Sequence, residues 1–289
     1  MTSDTGVPSI RFDGQVVLVT GAGRGLGRAY ARLLARRGAH VVVHDAGVRP
    51  DGSGFDPDVA DAVVRELEAE GGRASAAYED LGSRDACRAL VERTLAERGR
   101  LDAAVLNAGF LLEGPLEALA PEAWERLRRV QLEAPLWLAQ AALPAMKERR
   151  YGRFVLTVSG HGLYRTGEAG LAAYAVCKAA TLGLVHVLAD AGAPYGVLAN
   201  AVSPVAATRM YRREAPPGEL LPEHVAPGVV FLASSACTVS GAVLRAVGGR
   251  FSLGRYGVTE GLDLGPAPAE PEDVARAWPL LEGPLRPAE

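Results

Sequence analysis

Tyr174 and Lys178, four residues apart in Tyr174-Ala175-Val176-Cys177-Lys178, are the residues of this chain whose types and spacing best suit chemistry. They lie in an Ala-rich run, 171–190, with the composition of a helix, and residues at i and i+4 share one helix face. A positive charge held near a phenol favours the phenolate and lowers a pKa that is about 10 unperturbed. Such a phenol can give or take a proton near neutral pH. The spacing is common in helices, so its meaning depends on what the rest of the chain sets beside it.

Upstream, Val16-Val17-Leu18-Val19 is an unbroken apolar run, as in a strand buried on both faces of a parallel sheet. It leads into Thr20-Gly21-Ala22-Gly23-Arg24-Gly25-Leu26-Gly27, and a helical pattern follows over 28–37. Strand, glycine-rich turn and helix together form a context that binds a dinucleotide. Glycines let the backbone approach the pyrophosphate, and the helix N-terminus offers free N–H groups at a positive dipole end. Gly21, Arg24, Gly25, Leu26 and Gly27 are therefore candidate phosphate and cofactor contacts; the bland alternative is a tight turn that needs glycine. The next apolar run, Val41-Val42-Val43, ends at His44-Asp45. An acid there, about 20 residues past the glycine loop, can accept hydrogen bonds from ribose hydroxyls and repels a 2′-phosphate. Asp45 thus favours NAD(H), with NADP(H) as the second choice because Arg24 could meet a phosphate.

Further along, Asp80-Leu81 closes a weak strand over 74–78. Asp80 is placed either to touch adenine or to cap the helix opened by Ser83 and Asp85. Strand 103–106 runs into Asn107-Ala108-Gly109, small residues that let a cofactor pass the open end of a parallel sheet. A helical stretch covers 121–149, and strand 154–158 ends at Ser159-Gly160-His161-Gly162. The Tyr174 helix comes next, then strand 197–202 with Ser203-Pro204, and strand 243–247 closed by Gly248-Gly249. Such alternation predicts a single-domain α/β Rossmann fold, a doubly wound seven-stranded parallel sheet flanked by helices. The domain would span 14–250, after a lead-in at 1–13. The tail, 251–289, carries six prolines from Gly265 onward, so it is not mostly helix. It is expected to pack on the surface or on a partner subunit.

Composition narrows the function. Apolar residues are 48% and charged residues 22% of the chain, with a net charge of −3, which gives no basis for nucleic-acid or acidic-membrane partners. No apolar run approaches the roughly 20 residues of a membrane span. The start lacks the apolar core of a signal peptide. Cys87, Cys177 and Cys237 are odd in number and scattered, with no disulfide or metal-ligand spacing. A reducing compartment, the cytoplasm, and no metal are expected. Lys178 is one of only two lysines, with Lys147.

Taken together, Thr20-Gly21-x-x-x-Gly25-x-Gly27, Asn107-Ala108-Gly109, Ser159 and Tyr174-x-x-x-Lys178 resemble the short-chain dehydrogenase/reductase superfamily. A narrower likeness lies in Val41 to Gly47, in Ser159 to Tyr164, in Asn200-Ala-Val-Ser-Pro204-Val-Ala-Ala-Thr208 and in Pro222-Glu-His-Val-Ala-Pro227. These are similar to the (3R)-hydroxyacyl-CoA dehydrogenase part of peroxisomal multifunctional enzyme type 2 and its bacterial relatives. The resemblance implies that Tyr174 exchanges a proton with the substrate oxygen. It gives Lys178 the nicotinamide ribose and the lowering of the phenol pKa, and Ser159 the substrate oxygen. Pro204, Val205 and Thr208 would lie by the nicotinamide amide and the pyrophosphate, and the protein would form a homodimer or homotetramer. Segment 205–222 would cover a small-molecule ketone or alcohol. Its Arg209, Arg212 and Arg213 could meet an anionic substrate, with solvated arginines as the bland reading.

Two departures stand out. Family members carry asparagine, as a prop for a water that links the lysine to solvent, where this chain has Gln131 in Val130-Gln131-Leu132. One extra methylene leaves that proton relay altered or lost. The serine also lies farther from the tyrosine than usual: the family spacing lands on His161, two residues past Ser159. Loops accept insertions more readily than strands, so Ser159 is taken as the serine and His161 as a cleft-wall residue with a candidate substrate role. The leading expectation is NAD(H)-dependent interconversion of a ketone and a secondary alcohol, on a 3-hydroxyacyl thioester or a natural-product intermediate. The other class is a non-redox enzyme (epimerase, cyclase or dehydratase) or nucleotide-binding protein that keeps the cofactor site.

Overall fold

The computed structural model describes residues 9–211, 215–255, 257–266, 268–281, 283 and 286–287. Arg212 and Arg213 lie outside them. The chain divides into two compact units, Met1–Ser252 and Leu253–Glu289.

The first unit alternates strand and helix: β1 Val16–Thr20, α1 Gly25–Arg36, β2 His40–His44, α2 Asp58–Ala69, β3 Arg73–Ala77, α3 Arg84–Arg98 and β4 Ala103–Leu106. There follow α4 Pro121–Arg128, a π-helical turn Arg129–Glu133, α5 Ala134–Glu148, β5 Gly152–Thr157, the single-turn α6 Gly160–Leu163 and α7 Ala172–Gly192. The series closes with β6 Val197–Val205, α8 Ala226–Ala233 and β7 Val243–Val247, and β8 Arg250–Gly254 begins in this unit and ends just past Ser252. Strands β1 and β4 are buried along their whole length, as a parallel sheet covered on both faces requires.

The sheet order is β3-β2-β1-β4-β5-β6-β7-β8, with β1 to β7 parallel in unbroken register, such as Val17 opposite both Val41 and Ala103. The expected seven strands are therefore eight. Gly248 and Gly249 both take positive φ, 53° and 80°, the conformation of a two-residue hairpin turn. A connection this short can only join antiparallel strands, so the glycine pair that reads as a stop turns the chain back into β8.

Helix α7 continues through a 3-10 turn to Tyr195, and this stretch is long and apolar enough to cross a membrane by length and composition alone. That corrects the expectation that no segment reaches this mark. The stretch is the core helix of the unit: it carries the buried Lys178 and packs Cys177, Thr181, Leu182 and Val185 inward.

In the second unit, α9 Pro271–Leu281 starts at Pro271, in the first turn, where no N–H is needed, and carries Pro279 near its end, where one helical hydrogen bond is lost. Strands β9 Gly257–Val258 and β10 Arg286–Pro287 pair antiparallel.

Candidate active site

Strand order reverses between β1 and β4, so their carboxyl ends open a crevice where ligands bind in such sheets. Thr20 closes β1 and holds both sides of it. Its Oγ1 accepts from the backbone N–H of Asn107 at 3.0 Å and of Ala108 at 3.1 Å. The Asn107 amide donates back to the carbonyls of Thr20 and Gly21 at 3.1 and 3.3 Å.

The glycine loop lies in this crevice. Gly21 has φ +65°, and a Cβ on Gly27 would fall 2.0 Å from the Gly21 carbonyl oxygen. Gly27 therefore lets the first turn of α1 press against the loop. Arg24, at the N-cap of α1, provides no side-chain cap. The helix keeps its N-terminal donors toward the crevice. Arg24 instead donates to the Val48 carbonyl at 3.2 Å, and Arg209 donates to the same carbonyl at 2.9 Å. The buried Asp45 carboxylate accepts from Gly23 N–H at 2.9 Å and Gly47 N–H at 2.8 Å. Asp80 is not a helix cap: Ser83 caps α3, and Asp80 accepts from Gly82 N–H at 2.9 Å.

These residues surround two adjoining cavities that share Leu26, Asn107, Gly109, Thr208 and Met210. One, of about 670 Å³, is lined by Gly21, Arg24, Asp45, Asp80, Leu81 and Ala108 among others. The other, of about 580 Å³, is lined by Gln131, Ser159, His161, Tyr174, Lys178, Pro204 and Val205 among others. A loop stripped of Cβ atoms, an uncapped helix N-terminus and a cleft of this size fit a dinucleotide.

In the second cavity Lys178 is buried, and its Nζ donates to the Thr157 carbonyl at 2.9 Å. The same Nζ is 5.6 Å from the Tyr174 ring centroid. Burial pushes the ammonium down to about 8. Burial also pushes the Tyr174 phenol up, and the hydrogen-bonding pull of Ser159 opposes it. The phenol is thus held above its ordinary range by burial, where the charge–phenol spacing alone predicts a lowered value. Desolvation disfavours both charged forms at once.

Ser159 caps α6, its Oγ accepting from His161 N–H at 3.3 Å. Gln131 occupies the π-helical turn and is buried. Its amide donates to the Phe110 carbonyl, and its Oε1 has no hydrogen-bond partner and sits 2.8 Å from where a Gly109 Cβ would be. The added methylene is used to tie this side chain beneath the 107–109 turn.

A family model described as short chain dehydrogenase matches residues 15–217. The chain belongs to this family. It is 38% identical over 267 residues to a short-chain type dehydrogenase/reductase of Mycobacterium tuberculosis, covering 91% of this chain and 92% of that one. Identity is also 38% over 274 residues with the mouse peroxisomal multifunctional enzyme type 2, covering 93% of this chain and 37% of that longer protein. Among solved structures, a short chain dehydrogenase from Mycobacterium avium superposes with TM-score 0.82 at 33% identity, covering 96% of this chain and 97% of that chain. The short-chain dehydrogenase resemblance is thus borne out, as is the likeness to the multifunctional enzyme. The protein is an oxidoreductase of a family that binds NAD or NADP.

Of the candidate site residues singled out from sequence, all that are described line the crevice except Gly27, which shapes it from beneath; Arg212 and Arg213 lie outside the described residues. Sequence reasoning missed Thr20 as the staple, Thr157 as the lysine's partner, Arg209 beside Arg24, and Glu168. Thr20 was findable, since it ends the strand that feeds the loop. Glu168 was not, because its partner is set by a loop path that no period encodes.

Proposed function

We propose that the protein is an NAD(H)-preferring enzyme that interconverts a ketone and a secondary alcohol. Support comes chiefly from one observation: Ser159, Tyr174 and Lys178 converge on a cavity that adjoins the glycine-loop cavity. When bound, the nicotinamide cofactor would supply or accept the hydride. Gly21, Gly25, Leu26 and Thr208 would hold its pyrophosphate, and Asp45 its adenosine ribose. Leu81 and Asp80 would flank the adenine, and Lys178, Pro204 and Val205 the nicotinamide half. Tyr174 would give its phenol proton to the substrate oxygen in reduction and take it back in oxidation. Ser159 would donate to the same oxygen as charge builds there. Lys178 would favour the phenolate once its ammonium is shared with a ribose hydroxyl.

The substrate would be a 3-hydroxyacyl thioester or a natural-product intermediate, covered by segment 205–222. The free, buried Cys87, Cys177 and Cys237 fit a reducing compartment such as the cytoplasm. Exposed Leu136 on α5 and Val176 and Val187 on α7 fit pairing into a homodimer or homotetramer.

The test is turnover with NADH, NADPH, NAD and NADP on a 3-ketoacyl-CoA, a simple diketone and a polycyclic ketone. Turnover preferring NADH is expected. Nucleotide binding without turnover on any substrate, regained only in Gln131→Asn, would instead favour a non-redox enzyme or a binding protein. Gln131, turned to Phe110, is the observation behind that second reading.

A further inference from the structure

His161 lines the catalytic cavity and has no role above. Its Nδ1 is 3.3 Å from Ser159 Oγ, and its Nε2 is 3.1 Å from Glu168 Oε2. Its edge meets the Tyr174 ring, with centroids 6.1 Å apart and planes at 72°. Glu168 is exposed, whereas Lys178 is buried against Thr157. A polar chain therefore leads from the phenol through Ser159 and His161 to the surface.

Two features make this arrangement a product of the fold. A Cβ on Gly162 would fall 2.5 Å from the Ala179 nitrogen and 2.6 Å from the Lys178 carbonyl carbon. Glycine there lets the α6 turn lie directly on the α7 backbone, which brings His161 beside Tyr174. At the far end, Gly114 N–H donates to the Gly170 carbonyl at 3.0 Å, and Gly114 bridges Leu171. The loop carrying Glu168 is thereby fixed where it re-enters α7. Meanwhile the Gln131 amide is committed to Phe110.

We propose that Ser159, His161 and Glu168 form the proton relay of this enzyme, connecting Tyr174 to solvent without passing through Lys178. The relay rests on the ketone–alcohol reading above. In reduction, the substrate carbon takes a hydride from a reduced nicotinamide while the substrate oxygen takes the Tyr174 proton. Ser159 passes its hydroxyl proton to the phenolate and receives the Nδ1 proton of the His161 imidazolium. Water in the open cavity returns one proton to the imidazole, so one hydride and one proton are consumed per turnover. Glu168 accepts from Nε2–H at 3.1 Å and so fixes the ring with Nδ1 toward Ser159. His161 and Glu168 act through Ser159 and Tyr174 and are positioning residues. Among the described residues, the other ionisable groups lining this cavity are Tyr174 and Lys178 from α7, Tyr164, Arg165, Tyr211 and Arg245, with Glu168 already named.

The test compares wild type, His161→Gln, His161→Ala and Glu168→Gln in reduction of a panel ketone across pH 5.5 to 9, with KM and kcat separated. His161→Gln should lower kcat about tenfold with KM within twofold, and added imidazole should restore part of the loss in His161→Ala. Glu168→Gln should lower kcat a few-fold and alter its pH profile, since the ring loses the carboxylate that holds Nε2. Proton NMR of the nucleotide-free protein, with His161 assigned by its absence in His161→Gln, should show its ring signals displaced in Glu168→Gln, since the carboxylate at Nε2 is gone. Should kcat and its pH profile be unchanged in both conservative variants, and the His161 ring signals unchanged in Glu168→Gln, the relay is wrong and the enzyme assignment stands. A rise in KM alone would also sink it, by making His161 a wall residue. A wild type inactive on every panel ketone would overturn the ketone–alcohol reading and the relay with it.

Discussion

The two halves of the cleft are built from different materials. Around the glycine loop the contacts come from backbone: N–H groups of Gly23 and Gly47 on Asp45, of Asn107 and Ala108 on Thr20, and the Val48 carbonyl under two arginines. Around Tyr174 they come largely from side chains, Ser159, His161 and Glu168 in sequence, with Lys178 behind. A cradle of backbone donors is fixed by strand register and glycine placement, and it suits a ligand common to a whole family. A chain of side chains is set residue by residue, so it can be rewired while the cradle stays. Gln131 marks such a rewiring.

Removing the phenol separates the halves most sharply. Tyr174→Phe should lower ketone reduction by about 10²–10⁴-fold while fluorescence titration shows NADH affinity nearly unchanged. Equal loss of both would mean that Tyr174 serves the cradle.

Lys178 offers a stability contrast within the side-chain half. Its folded pKa is depressed from 10.5 to about 8, so between those values the unfolded chain binds more protons and wild-type stability rises with pH. The shift corresponds to roughly 3 kcal/mol. From pH 7 to pH 10 the melting comparison of nucleotide-free protein should therefore move in the wild type's favour over Lys178→Met. A flat difference would show the ammonium to be hydrated.

Gly27→Ala attacks the cradle alone. Its Cβ would fall 2.0 Å from the Gly21 carbonyl oxygen, and forcing atoms into packed space costs about 1–3 kcal/mol. Melting temperature and NADH affinity should both fall. Unimpaired affinity would show that the loop yields without penalty.

The smallest effect is a change of preference. Asp45→Ser should improve NADPH relative to NADH by about tenfold, about 1.4 kcal/mol, because Arg24 and Arg209 remain beside the site. No change in the NADPH to NADH ratio of kcat/KM would remove Asp45 from the selection.

These contrasts explain what could be read from sequence. The strands from Val16 to Val247, the glycine loop and the Tyr174–Lys178 pair follow from local pattern, and the structure has them where the pattern predicts. The eighth strand was missed although Gly248-Gly249 carried its signal, because a glycine pair at a strand end reads equally as a stop. The apolar length of α7 was underestimated because Lys178 and Asp190 interrupt the run to the eye. The phenol's raised pKa was beyond reach, since burial of a charge depends on packing from elements distant in sequence. The His161–Glu168 contact was beyond reach too, since it depends on how residues 164–171 fold back.

Gly162 also bears on how such a protein can be altered. With α6 seated on the α7 backbone at one end and Gly114 bridged to Leu171 at the other, residues 164–170 hang between two fixed posts. Their sequence can be exchanged as a cassette to reshape the mouth of the cavity without disturbing the phenol, provided that an acid is kept where Glu168 now stands.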